Sequence, residues 1–191
     1  IGGQLLVRHS LIRYSARDSI RYDLQQQIVF LFGAARVVYG DIELTADRIE
    51  YRFKQEEARA FGAPDSTGAV GGKPVFIESG HRIEADSIRY NFRSKKGLIK
   101  EVRTSEQESY VQARVSKRHA NGEVHSKGGT FTTCDRPHPH YYFRASRMMV
   151  IPDDKIVSGA AVMKIGPVPT PLVLPFGFFP NKKNGSAGIL F

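Results

Sequence analysis

From residue 46 to residue 61 the chain alternates. Ile49, Tyr51 and Phe53 share one parity, and Arg48, Glu50 and Arg52 take the other. A period of two, with aromatic and β-branched side chains on one side, predicts a half-buried strand. The polar residues 54–57 predict a turn and residues 58–61 a returning strand. Nearly the same phrase stands at residues 18–24 and 86–92. Alignment brings Asp18, Asp47 and Asp86 together, then Ile20, Ile49 and Ile88, then Tyr22, Tyr51 and Tyr90, then Leu24, Phe53 and Phe92. The tyrosines are 29 and then 39 residues apart, so the repeat is irregular, with loops inserted at one edge of a stack. A degenerate fourth copy occupies residues 145–151, with Met148 and Val150 at the Ile and Tyr positions. The turn 152–155 and the strand 156–161 follow it.

Elsewhere the pattern is also that of strands. Residues 4–7 and 11–14 predict two leading strands. The apolar run 28–32 predicts a strand that is buried on both faces, or whose outer face meets something apolar. Residues 35–39, a turn at Gly40 and Asp41, and residues 42–46 lead into the second unit, and residues 62–72 read as a loop. Residues 74–78 restart the pattern, and residues 109–115 and 122–133 alternate again. Strands at this spacing indicate a sandwich, a jelly roll or a solenoid. Five prolines between positions 167 and 180 argue against a central strand. Residues 1–165 are therefore expected to form the β-domain, and residues 166–191 a Pro-rich connector.

Composition narrows the class. In 191 residues, 41% hydrophobic content supplies a core, and twelve Phe and eight Tyr without Trp favour strands. The formal net charge of +9 suits an anionic partner (nucleic acid, anionic lipid head groups or an acidic glycan) and equally suits solubility alone. There is no basic, then apolar, leader pattern, and the first residue is Ile1, so a fragment or a processed form is expected. No apolar run reaches the ~18 residues of a spanning helix. A single cysteine, Cys134, excludes an internal disulfide framework. Nucleophile elbow, zinc-protease, phosphate-loop and dinucleotide signatures are all missing, so neither enzymatic activity nor a cofactor is expected. Cys134, His138 and His140 are good ligand types, but no fourth ligand stands at a standard spacing, and no metal is expected. The basic residues are scattered along the chain and lie opposite the aromatics on their strands. That is the pattern of an apolar interior or groove with a charged exterior, rather than of a nucleic-acid surface.

The Ala-Asp-x-Ile-x-Tyr-x-Phe unit with its Ala-x-Ala-Phe-Gly return resembles the OstA-type repeat of the lipopolysaccharide transport proteins. Residues 131–135, 142–146, 167–169, 174–176 and 178–180 are similar to the end of the periplasmic domain in the LptD family, just before its β-barrel. The resemblance implies an all-β, open OstA-type jelly roll of V-shaped, stacked antiparallel sheets at the periplasmic face of the Gram-negative outer membrane. It further implies an apolar trough for the acyl chains of lipopolysaccharide (lipid A), edge-to-edge strand pairing with an LptA-like periplasmic protein, and an outer-membrane lipoprotein partner of the barrel. Parity then assigns the lining to Ile20, Tyr22, Leu24, Ile49, Tyr51, Phe53, Ile88, Tyr90, Phe92, Met148 and Val150. In this family a cysteine near this motif can pair with barrel cysteines, which would give Cys134 a partner beyond this sequence. The alternatives are a soluble LptA-like bridge or chaperone and, from another class, a basic glycan- or nucleic-acid-binding β-domain. Whether the apolar face meets lipid or closes on itself as a core is left open.

Overall fold

Strictly alternating segments punctuated by Gly, Asp and Asn become antiparallel strands. The computed structural model, which describes residues 2–7, 10–64, 70–106, 109–136 and 138–180, contains no helix among them. The chain divides into two compact units, residues 1–99 and 100–191.

In the first unit the strands are β1 (Gly2–Val7), β2 (Ser10–Ser15), β3 (Ser19–Asp23), β4 (Ile28–Tyr39), β5 (Ile42–Arg52), β6 (Glu57–Phe61), the short β7 (Ala63–Pro64) and β8 (Val70–Gly71), β9 (Val75–Glu78), β10 (His81–Glu84) and β11 (Ser87–Asn91). β12 (Lys96–Glu106) contains the division between the units. The long strands β4 and β5 pair along their whole length, with a register shift between Phe32 and Ala35. Gly33 and Ala34 sit there with φ of 73° and 44°. A Cβ on Gly33 would lie 2.0 Å from Asp18 Oδ2, so this bend needs glycine both for its backbone and for its space.

Each long strand then has two neighbours. β4 pairs with β3 through residues 28–32 and with β2 through residues 36–39. β5 pairs with β6 through residues 48–52 and with β9 through residues 42–45. β11 continues beyond β6, β10 beyond β9, and β1 beyond β2. One sheet is therefore β3-β4-β5-β6-β11 and the other β1-β2-β4-β5-β9-β10, sharing the bent pair β4 and β5. Ile12, Val29, Leu31, Val37, Leu44, Ile49, Ala58 and Ala60 are buried between them.

The second unit contains β13 (Ser109–Arg118), β14 (Val124–Thr132), β15 (Tyr141–Ile151), β16 (Lys155–Ser158), β17 (Ala161–Ile165), β18 (Val168–Leu174) and β19 (Gly177–Pro180). β15 pairs with β14 on one side; on the other it pairs with β17 through residues 141–145 and with β16 through residues 148–151. β18 continues beyond β17, and β19 beyond β16. This is the fork of the first unit written again: β14 to β19 repeat the connectivity of β4, β5, β6, β9, β10 and β11. Even the changeover matches. Asp47 N–H leaves the ladder to donate to Gly72 O at 2.8 Å, and Ser146 N–H donates to Ala160 O at 3.0 Å.

The expected Pro-rich connector is corrected here. Residues 168–174 and 177–180 are strands, and position 165 does not separate sheet from linker. Proline is tolerated because β18 pairs with β17 alone among the described residues, around a register shift between Val162 and Lys164. Near that shift Thr170 Oγ1 donates to Met163 O at 3.0 Å. Residues 181–191 lie outside the described residues.

Candidate functional site

Three hairpin tips set up the site. Turns at residues 24–27, 53–56 and 92–95 each end in a left-handed residue: Gln27 (φ 54°), Glu56 (φ 51°) and Lys95 (φ 54°). Asp23 and Asn91 brace their own turns, accepting from Gln26 N–H at 2.9 Å and Ser94 N–H at 2.8 Å. The tips are stitched together, since Phe53 N–H donates to Gln27 O at 3.1 Å and Phe92 N–H donates to Glu56 O at 2.8 Å. Glu56, which sequence reasoning placed in a polar turn, is buried, and it accepts from Arg93 Nε at 3.0 Å. This common geometry brings Leu24, Phe53 and Phe92, the first residue of each turn, to one end of the sandwich.

A chain of rings runs inward from that end. Tyr22 meets Phe53 with ring centroids 5.7 Å apart, Phe53 meets Tyr51 at 5.0 Å, Tyr51 meets Phe92 at 5.9 Å, and Phe92 meets Tyr90 at 5.0 Å. Phe76 of the opposite sheet lies 4.9 Å from Tyr90, and Tyr39 lies 5.3 Å from Phe92. Tilted and edge-on pairs of this kind suit aromatic quadrupoles. The alanines of β6 make room: Ala58 stands between Tyr51 and Tyr90, and Ala60 between Ile49 and Ile88.

Exposure along this inward face is graded. Ile49, Tyr51, Ile88, Tyr90 and Phe92 are buried, Ile20 and Phe53 are half-buried, and Tyr22 and Leu24 are 51% and 79% exposed. Tyr22 has inward parity, opposite the buried Val29. An inward-facing ring that water reaches marks an open lip, at β3, on an otherwise filled interior. The Tyr51 hydroxyl lies inside and has no hydrogen-bond partner among the described residues. Burial, then the charge of Glu56 and the neighbouring Tyr39, hold its pKa far above the usual phenol range.

The outer face of the same sheet is charged and internally paired. Arg48 and Arg52 approach Glu50 at 2.6 and 3.9 Å, and Arg59 and Arg89 approach Glu57 at 2.8 and 3.9 Å. Phe32 of the apolar run 28–32 meets cations here, with the Arg21 and Arg48 guanidinium groups 5.5 and 5.6 Å from its ring centroid.

The remaining two assigned positions, Met148 and Val150, lie in the second unit. They are buried there with Phe131, Phe143, Ile156 and Phe179. Met148 and Val150 hold the places of Ile49 and Tyr51, Ile156 and Ser158 those of Ala58 and Ala60, and Gly177 and Phe179 those of Ile88 and Tyr90. Volume is redistributed in the second of these rows: Tyr51, Ala58 and Tyr90, large-small-large, become Val150, Ile156 and Phe179, medium-medium-large. The eleven assigned residues thus divide between the two units, and sequence parity missed the partners contributed by other strands, notably Val29, Leu31, Phe76 and Tyr39.

Cys134 is half-buried, and its N–H donates to Thr132 Oγ1 at 3.0 Å. Among the described residues no group of three or more His, Cys, Asp or Glu is placed to hold a metal ion.

Comparison with known proteins agrees with this geometry. No curated protein matches the sequence. Residues 156–191, which begin at β16, match the family described as LptD protein. The fold is similar to that of LptH from Pseudomonas aeruginosa, described as the LptA-homologous periplasmic component of the lipopolysaccharide transport device. The TM-score is 0.50 at 15% sequence identity, covering 73% of this chain and 94% of that one. By its fold, then, the chain is an Lpt/OstA-type β-jelly roll, and its C-terminal strands carry the match to the LptD family.

Proposed function

We propose that this chain is a periplasmic lipopolysaccharide-binding conduit, non-enzymatic, of the LptD-like kind, working at the inner side of the outer membrane. The observation that carries the reading is the open lip. Ile20, Tyr22 and Leu24 continue the buried face of the first unit into solvent, and Phe53 and Tyr51 lie directly behind them. An acyl chain laid on that row is shielded where it would otherwise lose about 0.8 kcal/mol per methylene exposed to water. Sugars and phosphates stay outside, where Arg21 and the paired guanidinium groups of the outer face stand. Among the described residues β1 pairs along one side, with β2, and β3 along one side, with β4, and both suit strand addition by an LptA-like protein. The match of residues 156–191 favours LptD over a free-standing bridge. A gene continuing past codon 191 into alternating barrel strands would support that choice, and a stop codon there would favour the bridge.

The test is capture of fluorescent lipid A by the 191-residue chain. Leu24→Glu and Tyr22→Glu place a charge on the lip without touching the buried core, and each is expected to weaken capture about tenfold or more. Capture unaffected by both changes would remove the lip from the function.

A further inference from the structure

Gly2 and Gly3 open β1, and nothing in the backbone asks for glycine there. β1 runs against β2 in unbroken register, and neither residue has a left-handed φ. Glycine inside a strand weakens it, and its remaining use is to let something come close. At Gly3 the close approach is intramolecular, since a Cβ there would lie 2.5 Å from the Tyr14 hydroxyl oxygen. At Gly2 the gain is open space. Gly2, Ser15 and Arg36 form one cross-strand row over β1, β2 and β4, and Arg13 and Val38 stand together in the next. The short side chains of the first row leave a notch of about 260 Å³, lined by Arg13, Tyr14, Ser15 and Arg36 besides the two glycines and Val38.

The lining identifies the ligand chemistry. Every polar side chain in it can donate a hydrogen bond, and no carboxylate belongs to it. Arg36 is held in place by Glu43, which accepts from its Nε at 2.7 Å and its Nη2 at 2.8 Å. Two of its five N–H groups are used there and three remain. Arg13 is exposed, makes no ion pair among the described residues, and supplies the net positive charge of the notch. The outer face of the other sheet is different, because its arginines share Glu50 and Glu57. Pockets for drug-sized molecules run to roughly 300–1,000 Å³, so this smaller notch suits a compact anionic group. Two guanidinium forks and a hydroxyl exceed what the two oxygens of a carboxylate can accept, and they match the oxygens of a phosphoryl group. We propose that the notch on the outer face of β1, β2 and β4 binds phosphate, with Arg13, Arg36 and Ser15 as its donors. The phosphoryl group is carried by a lipid headgroup or is free in solution. The site does not rest on acyl-chain capture at the lip.

The experiment is isothermal titration calorimetry of the 191-residue chain with inorganic phosphate, at an ionic strength fixed by sodium chloride. The native chain is expected to bind saturably. Arg13→Gln is expected to weaken binding about tenfold or more. Ser15→Val fills the notch and leaves every cation in place, so the proposal expects a several-fold loss where attraction by net charge alone expects none. Arg114→Gln removes an exposed cation of the second unit and is expected to leave phosphate binding unchanged. Unchanged unfolding midpoints are expected for all three variants, since each replaces a side chain on an outer face. Displacement of phosphate by lipid A, but not by dephosphorylated lipid A, would assign the site to a lipid headgroup. No displacement by either would assign it to free phosphate. Three results overturn the proposal: no saturable binding by the native chain, native-like binding by Arg13→Gln or Ser15→Val, or a loss with Arg114→Gln as large as that with Arg13→Gln.

Discussion

Replacing Tyr51 with Phe removes one oxygen and keeps every ring contact. That oxygen lies in the interior of the first unit without a hydrogen-bond partner among the described residues. A hydroxyl buried in this way costs about 1–3 kcal/mol. Its ring, by contrast, is held by Phe53 and Phe92 and sits over Ala58. Tyr51→Phe should therefore stabilise the fold by about 1 kcal/mol or more, which in a chain of this size raises the melting temperature by roughly 2–4 °C per kcal/mol. Tyr51→Ala, which empties the site, should cost about 3–5 kcal/mol. The pH dependence supplies a second reading. The folded-state pKa of Tyr51 is raised above its ordinary value of 10.0. Above that pH the unfolded chain loses a proton that the folded chain keeps, so stability falls as pH rises. The Phe variant lacks this loss, and its advantage should widen by up to about 1.4 kcal/mol per pH unit. Guanidinium unfolding followed by far-ultraviolet circular dichroism, at neutral pH and above pH 10, measures both effects. A Phe variant less stable than the native chain at neutral pH would mean that the hydroxyl is satisfied and that the interior around it is not purely apolar.

Three further outcomes follow from the geometry. Gln27→Gly relieves a left-handed side chain and should stabilise by about 0.5–1 kcal/mol in thermal melts, while Glu56→Gly, which also breaks the bond to Arg93, should not. Ala58→Ile alone should overpack the row between Tyr51 and Tyr90 and cost about 1–3 kcal/mol. Combined with Tyr51→Val it reproduces the second unit's Val150 and Ile156 and should recover part of that loss in a double-mutant cycle. Arg36 donates to Glu43 at 2.7 and 2.8 Å and lowers its pKa below 4.5. The stability from this pair is complete above that value and is lost as pH falls through the lower folded value. Glu43→Gln should therefore flatten the acid limb of a stability-pH curve, by at most about 1 kcal/mol because the pair is solvated.

Much of the fold was legible because alternation is a direct record of two-sided strands. Ile49, Tyr51, Ile88 and Tyr90 are buried as their parity required, and even the degenerate copy at Met148 and Val150 falls on the same inward positions. Three things were not legible, each for a physical reason. The bend at Gly33 and Ala34, which lets one strand serve two sheets, leaves only a glycine and a break in parity as its trace. Prolines 169 and 171 looked like a connector because their tolerance depends on β18 having one neighbour, a property of the sheet and not of the segment. The lip was hidden because Tyr22 and Tyr51 occupy identical places in the repeat. Only the position of β3 at the end of its sheet exposes the first and buries the second.

The central claim is that the inward row at β3 meets acyl chains. Photo-crosslinking residues placed at Tyr22 and Leu24, with controls at the outward Arg21 and Glu50, test it directly when the chain is irradiated with lipopolysaccharide. The account predicts covalent lipid adducts at positions 22 and 24, at least several-fold above those at 21 and 50. Equal or stronger labelling at the outward positions would contradict it, because the lipid would then travel over the charged face and the apolar interior would be a core and nothing more.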